Sequence, residues 1–406
     1  MLKRTNLVKS RFNLKDFNSN FFPVAFMSFF VFAQIFDGVN AFGIKWVSGV
    51  LLLILVAFHA LRSEKVITRN WFIFTLLIGF LPLYGLFISS INGGLNKFSD
   101  TSQLSFAILL FSTIYFHFGD NARLVIKIMV FNLRLLSFLI IAIFLFIFFG
   151  DYYPSFFLEK QILIFGEREY GGTTFNLIYF ISSPLLLFLV AYDSYSLNNR
   201  VSFFKLFMLL LTICALFLSG TRALIVFAIF SFFFVSFWVG PLTIKFFYTV
   251  VAFLTTVLIL YFYPDVAFSM FSEANSASKL SYFNGYWEIL NNLKYFFFGQ
   301  GFNAHTWSAE FLRMLSSVGN QGIKTELTYM ELMRVYGVPM GSIVIILLFS
   351  LPFKRNVSRE YQWLKPAMLM YLILAATNPY IFSSNGALAL GVYLGFLNIN
   401  KRVGSV

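Results

Sequence analysis

Apolar stretches close to the length that crosses a bilayer recur from one end of this chain to the other. They fall at roughly 21–37, 42–61, 71–90, 103–119, 124–149, 173–192, 201–219, 222–239, 242–262, 331–353, 364–383 and 385–400, with polar turns between most of them. About 20 apolar residues span the hydrocarbon of a membrane. No water is present there to satisfy a bare backbone, so each stretch is expected as a helix. Composition agrees: of 406 residues 59% are hydrophobic and 12% charged, against roughly 25% charged in soluble domains. The fold class expected is therefore an all-α polytopic integral membrane protein with about twelve transmembrane helices. A single domain covers 1–406, with one large outer loop at 263–330 between the ninth and tenth helices.

Charge sets the orientation. Lys3, Arg4, Lys9, Arg11 and Lys15 precede the first apolar run, and no small-residue cleavage pattern follows it, so that run is read as a retained first span. Arg62, Lys65 and Arg69 follow the second span, Arg123 and Lys127 the fourth, and Arg200 and Lys205 the sixth. Lys354, Arg355, Arg359 and Lys365 lie between the tenth and eleventh, and Lys401 and Arg402 close the chain. With twelve spans all of these lie on one side, which makes both termini cytoplasmic. The same bias accounts for the net charge of +13 without any nucleic-acid partner. One cysteine, Cys214, sits inside an apolar run, which rules out a disulfide framework and a thiolate metal site.

Three outward segments still carry notable charge. In the turn Ser219-Gly220-Thr221-Arg222 the small residues could cap the following helix and turn their N–H groups to an anion, with Arg222 as a planar fork for phosphate; the rival is an arginine snorkelling to lipid headgroups. In Gly166-Glu167-Arg168-Glu169-Tyr170-Gly171-Gly172, Arg168 and the glycines suit an anion site at the entrance of the next helix. A solvated cluster of ion pairs explains Glu167, Arg168 and Glu169 equally well.

The third segment is the long loop. It runs through Gly299-Gln300-Gly301-Phe302 and His305 to a helical stretch with Glu326, Met330 and Arg334 on one face and Glu331 three residues before Arg334. His305 could shuttle a proton or donate to a phosphate oxygen. A carboxylate here could be a general base if burial raises its pKa, or could simply pair along the helix surface. Gly337 and Gly341 permit close helix packing. His59 and His117 are read as interfacial, and Asp37 in the first outer turn as a helix-end residue. No spacing resembles a metal site, and no phosphate-binding Gly-Lys-Ser/Thr loop or dinucleotide fingerprint is present. The spans lack the carboxylate chains expected of an ion-coupled transporter.

Taken together, Arg168, Gly171, Gly172 and Asn176, then Ser219-Gly220-Thr221-Arg222, then the late outer loop through Gly299-Gln300-Gly301-Phe302 to Glu326, Glu331, Gly337 and Gly341 resemble a Wzy-type O-antigen polymerase. Related O-antigen ligases share the layout. The resemblance implies a metal-independent, cofactor-free glycosyltransferase in the bacterial inner membrane with its active site facing the periplasm. It would act on oligosaccharide units carried by undecaprenyl diphosphate, within membrane lipid, and invert the anomeric centre. Arg168, Arg222 and Arg313 would bind the diphosphate; in the early half of the loop Lys279 stands where an arginine would be expected. Glu326 or His305 would take the proton from the attacking hydroxyl, with Glu331, Arg334 and Tyr170 as secondary candidates. Tyr282, Trp287 and Trp307 could stack on sugar rings, or belong to an interfacial belt. A chain-length regulator and a flippase are the implied partners. The ligase that moves finished polymer to a lipid core, and a flippase or other transporter, are the rival functions.

Overall fold

A computed structural model describes residues 14–62, 69–94, 98–119, 121–150, 155–160, 162–170, 173–220, 222–240, 274–302, 307–309, 311–313, 327–354, 357–376, 378, 381 and 383–399, with isolated positions between 243 and 257. The molecule is overwhelmingly helical. In chain order it comprises α1 (Leu14–Phe36), α2 (Ile44–Arg62), α3 (Arg69–Ile91), α4 (Phe98–His117), α5 (Ala122–Gly150) and the short α6 (Ser155–Glu159). Then come β1 (Leu163–Tyr170), β2 (Thr173–Phe180), a 3-10 turn at Ser183–Leu185, α7 (Leu186–Asn199), α8 (Phe203–Leu218) and α9 (Arg222–Val239). After the ninth expected span, most of which lies outside the described residues, follow α10 (Ala274–Leu290), α11 (Leu293–Phe298), α12 (Thr328–Tyr336), α13 (Val338–Ser350), α14 (Leu364–Ala375) and α15 (Ser384–Ile399).

Among the described residues two helices are long and apolar enough to cross a membrane unaided, Trp71–Ile91 and Ala122–Gly150. The other apolar helices present 10–17 residues each, so helix length alone does not establish twelve spans. At the centre α4 packs on α15, where Gly391 and Gly395 lie against Leu110 and Ile114. Small residues four apart let two backbones approach closely, the usual device where lipid removes the hydrophobic drive between helices. Phe and Leu side chains on α2, α3 and α5 remain exposed, an apolar surface of the kind that meets lipid or a partner.

Two expectations need correction. The stretch 173–192 is not one helix. Thr173–Phe180 pairs antiparallel with Leu163–Tyr170, Tyr170 opposite Thr173 and Leu163 opposite Phe180, and helix begins only at Leu186. Thr173, Thr174, Phe175, Ile178 and Tyr179 are β-branched or aromatic, residues that favour a pleated surface, and Pro184 delays the helix. The stretch 331–353 is likewise broken. Gly337 has φ +81 and a Cβ there would collide with the Phe297 carbonyl, so α12 stops and α13 starts at that residue. Gly341 brings α13 against the Met333 backbone of α12, the close packing its position suggested.

Candidate functional site

Gly299-Gln300-Gly301-Phe302 crosses beneath α12 as an extended strap. The Gln300 N–H donates to the Arg334 carbonyl (2.7 Å), that of Gly301 to Val335 (3.1 Å) and that of Phe302 to Gly85 of α3 (3.3 Å). Gly299 and Gly301 have φ +76 and +80, and a Cβ on Gly301 would run into the Ser89 backbone. Glycine is required here both for the left-handed backbone and for the space.

Arg334 locks this strap from above. Its guanidinium is fully buried. Nε donates to Glu331 Oε2 (2.9 Å) and Nη2 to Glu331 Oε1 (2.6 Å); Nη1 reaches Gln300 Oε1 (3.2 Å) and the Gly301 carbonyl (3.1 Å), and Nη2 the Phe302 carbonyl (3.1 Å). An arginine has five N–H donors, and all five are engaged. Tyr286 donates to Glu331 Oε2 (2.9 Å), and the Trp307 ring lies 6.0 Å from the guanidinium carbon. The i, i+3 spacing therefore does form an ion pair, buried rather than on the helix surface. Arg334 has no donor left for a substrate, and Glu331 accepts three of these bonds while only 4% exposed, so both serve the packing of the strap. They position the strap.

The aromatics sort in the same way. Tyr282 and Trp307 are buried with Tyr286, Ile289 and Phe311 in a small core under α10. Trp287 is 53% exposed and stacked on Phe283 with ring planes 9° apart, so of the three it alone is open at the surface.

At the other arm of the site the helix-entrance argument fails for both arginines' neighbours. Arg168 lies in β1 opposite Phe175, not at a helix N-terminus. Ser219 and Gly220 close α8 instead of opening α9: Ser219 N–H and hydroxyl donate to Ala215 and Leu216 carbonyls, and the Gly220 N–H donates to Phe217. Their N–H groups are thus occupied. Yet the two motifs meet. Gly220, at φ +66, sits directly against the Leu177 side chain of β2, two residues along the strand from Phe175. The hairpin that carries Arg168 rests on the turn that leads into Arg222. A Gly220→Ala substitution is expected to cost about 1–2 kcal/mol in the left-handed backbone alone, with the Leu177 collision added; a lowered midpoint of thermal unfolding in detergent checks it.

Only the backbone of Arg168, Tyr170 and Arg222 is described, and His305, Glu326 and the Lys279 side chain lie outside the described residues. Arg313 ends the short helical turn after Trp307 with an exposed side chain. Asp37 does close α1, fully buried, its Oδ1 accepting the Phe42 N–H at 3.1 Å. Nearby, Lys45 reaches the Gly38 carbonyl (2.7 Å) and Ser384 (2.6 Å), stapling the turn between α1 and α2 to the start of α15. His117 contacts the Leu55 carbonyl at 3.1 Å, and only the backbone of His59 is described.

Sequence reasoning missed two charged pairs, an exposed one between Arg123 and Glu360 (2.6 Å) and a more buried one. Arg134, within α5, donates to Asp193 of α7 at 2.7 Å. The signal was present as an arginine twelve residues into an apolar helix, but its acidic partner lies 59 residues away. It is a single pair and not the chain of carboxylates a proton path would need. Neither the scan against protein-family models nor the search of curated proteins finds a match for this chain.

Proposed function

We propose that this chain is a glycosyltransferase of the bacterial inner membrane that polymerises oligosaccharide repeat units carried on undecaprenyl diphosphate, working at the periplasmic face of a twelve-span bundle. The observation that carries the reading is the seating of the Arg168 hairpin on the turn before Arg222. Two arginines from segments 54 residues apart in sequence thereby share one end of the bundle, where the membrane bias would otherwise place few cations.

In this reading Arg168 and Arg222, with Arg313 as the third candidate, bind the donor's diphosphate. The acceptor hydroxyl oxygen attacks the anomeric carbon, the bond from that carbon to the diphosphate oxygen breaks, and the diphosphate leaves with both electrons. The guanidinium groups stabilise the charge that grows on the leaving oxygen. Glu326 or His305 accepts the hydroxyl proton. Attack from the face opposite the leaving group inverts the centre. Arg334 holds the strap through a buried ion pair that does no chemistry itself.

Glycan analysis on a polysaccharide gel, in a bacterium lacking the gene, tests this. The expected result is loss of the ladder with a single repeat unit left on the lipid core. Bare core with polymer retained on undecaprenyl diphosphate would make the chain the ligase. An unchanged ladder would favour a transporter, for which the Arg134–Asp193 pair between α5 and α7 is a feature in support.

A further inference from the structure

Arg134 is unusual in what it lacks. It lies twelve residues, about 18 Å of helix rise, from the start of α5, yet its side chain is 25% exposed and one N–H alone is bound, to Asp193. The other four donors of its guanidinium have no protein partner among the described residues. Bare N–H groups are costly within a bilayer, and charged groups there are retained for a purpose. Asp193 is 3% exposed and accepts that bond through Oδ1 alone.

The surroundings say what completes it. Lys127 lies seven residues earlier, within about 20° of Arg134 around the helix, and a helical side chain leans toward the N-terminus, which brings the guanidinium toward the Lys127 level. Lys127 is exposed and lines a groove of about 440 Å³ between α1 and α5 whose walls are mostly Phe29, Phe32, Ile128 and Phe131. Phe131, between the two cations, is 68% exposed on the lipid side. Arg134, Lys127 and Lys205, whose charge also reaches Asp193, carry three positive charges against one negative, a net charge of +2. That balance favours an anionic headgroup over a zwitterionic one, whose ammonium or choline would meet a surplus of cations.

We propose that Arg134 and Lys127 form a binding site for the phosphate of an anionic glycerophospholipid, with one acyl chain lying in the α1–α5 groove. Arginine's planar fork suits two phosphate oxygens, and Asp193 holds it in place. The site is independent of the sugar-transfer reading; only its assignment to the cytoplasmic leaflet depends on the topology above, and the test does not.

The test is native mass spectrometry of the full chain released from neutral detergent with phosphatidylglycerol, with phosphatidylcholine, or with inorganic phosphate. Wild type is expected to retain phosphatidylglycerol in preference to phosphatidylcholine, undiminished by inorganic phosphate. Lys127→Gln, an exposed substitution that leaves the packing intact, should weaken retention several-fold. The paired Arg134→Gln, Asp193→Asn variant, which removes both charges of the pair together, should weaken it tenfold or more. Equal retention by wild type and Lys127→Gln, or equal retention of the two lipids, would overturn the proposal. Displacement of the lipid by inorganic phosphate would also overturn it, as the mark of a site for free anions.

Discussion

Replacing Arg334 with methionine is expected to destabilise the protein by about 3–5 kcal/mol, because Glu331 is left as an unpaired charge in a dry interior. Three acceptors on the strap, Gln300 Oε1 and the carbonyls of Gly301 and Phe302, lose their donor at the same time. A control separates the two causes. Arg334→Met with Glu331→Leu removes both charges and should regain part of the loss in thermal unfolding. It should not restore activity, since the strap carbonyls remain without their donor. Gly301→Ala, which forces a Cβ onto the Ser89 backbone, should match the loss of activity with the ion pair intact. An Arg334→Met protein that unfolds like wild type would remove the buried pair from its place as the lock of this site.

The second large effect is functional. Arg222→Ala is expected to abolish polymer formation, a loss of at least about 10²-fold on the scale of deleting one transition-state donor, with protein level and membrane insertion unchanged. Arg222→Lys should recover little, because an ammonium lacks the bidentate fork. Ladder density on a polysaccharide gel, normalised to protein in the membrane, is the readout. Full activity in Arg222→Ala would return Arg222 to the snorkelling role.

What could be read from the residues divides along physical lines. Helices with a strong apolar signal lie close to where they are expected, as at Ala122–Gly150 and Arg222–Val239. The hairpin was not legible: a short apolar run such as Leu177–Phe180 has the same hydropathy as a strand or as the first turn of a span. Gly299, Gly301 and Gly337 stood out in the chain, but their reason lies in distant partners. Gly301 needs glycine because of Ser89, more than two hundred positions earlier. Glu331 and Arg334 were legible as an i, i+3 pair, and that contact forms. Their spacing shows that they can meet and carries no sign that Gln300, Gly301 and Phe302 would take the remaining donors. Arg134 escaped notice for the same reason, its partner being in another helix.

The measurement that bears most directly on the central claim, a sugar-transfer site on the periplasmic face, is the sidedness of two regions. Reporter fusions that are active only in the cytoplasm or only in the periplasm can be placed near residue 200, after α7, and near residue 280, in α10. The account predicts a cytoplasmic signal at 200 and a periplasmic signal at 280. The same side for both would separate the Arg168 and Arg222 end of the bundle from the Arg334 strap, and the shared active site would be contradicted.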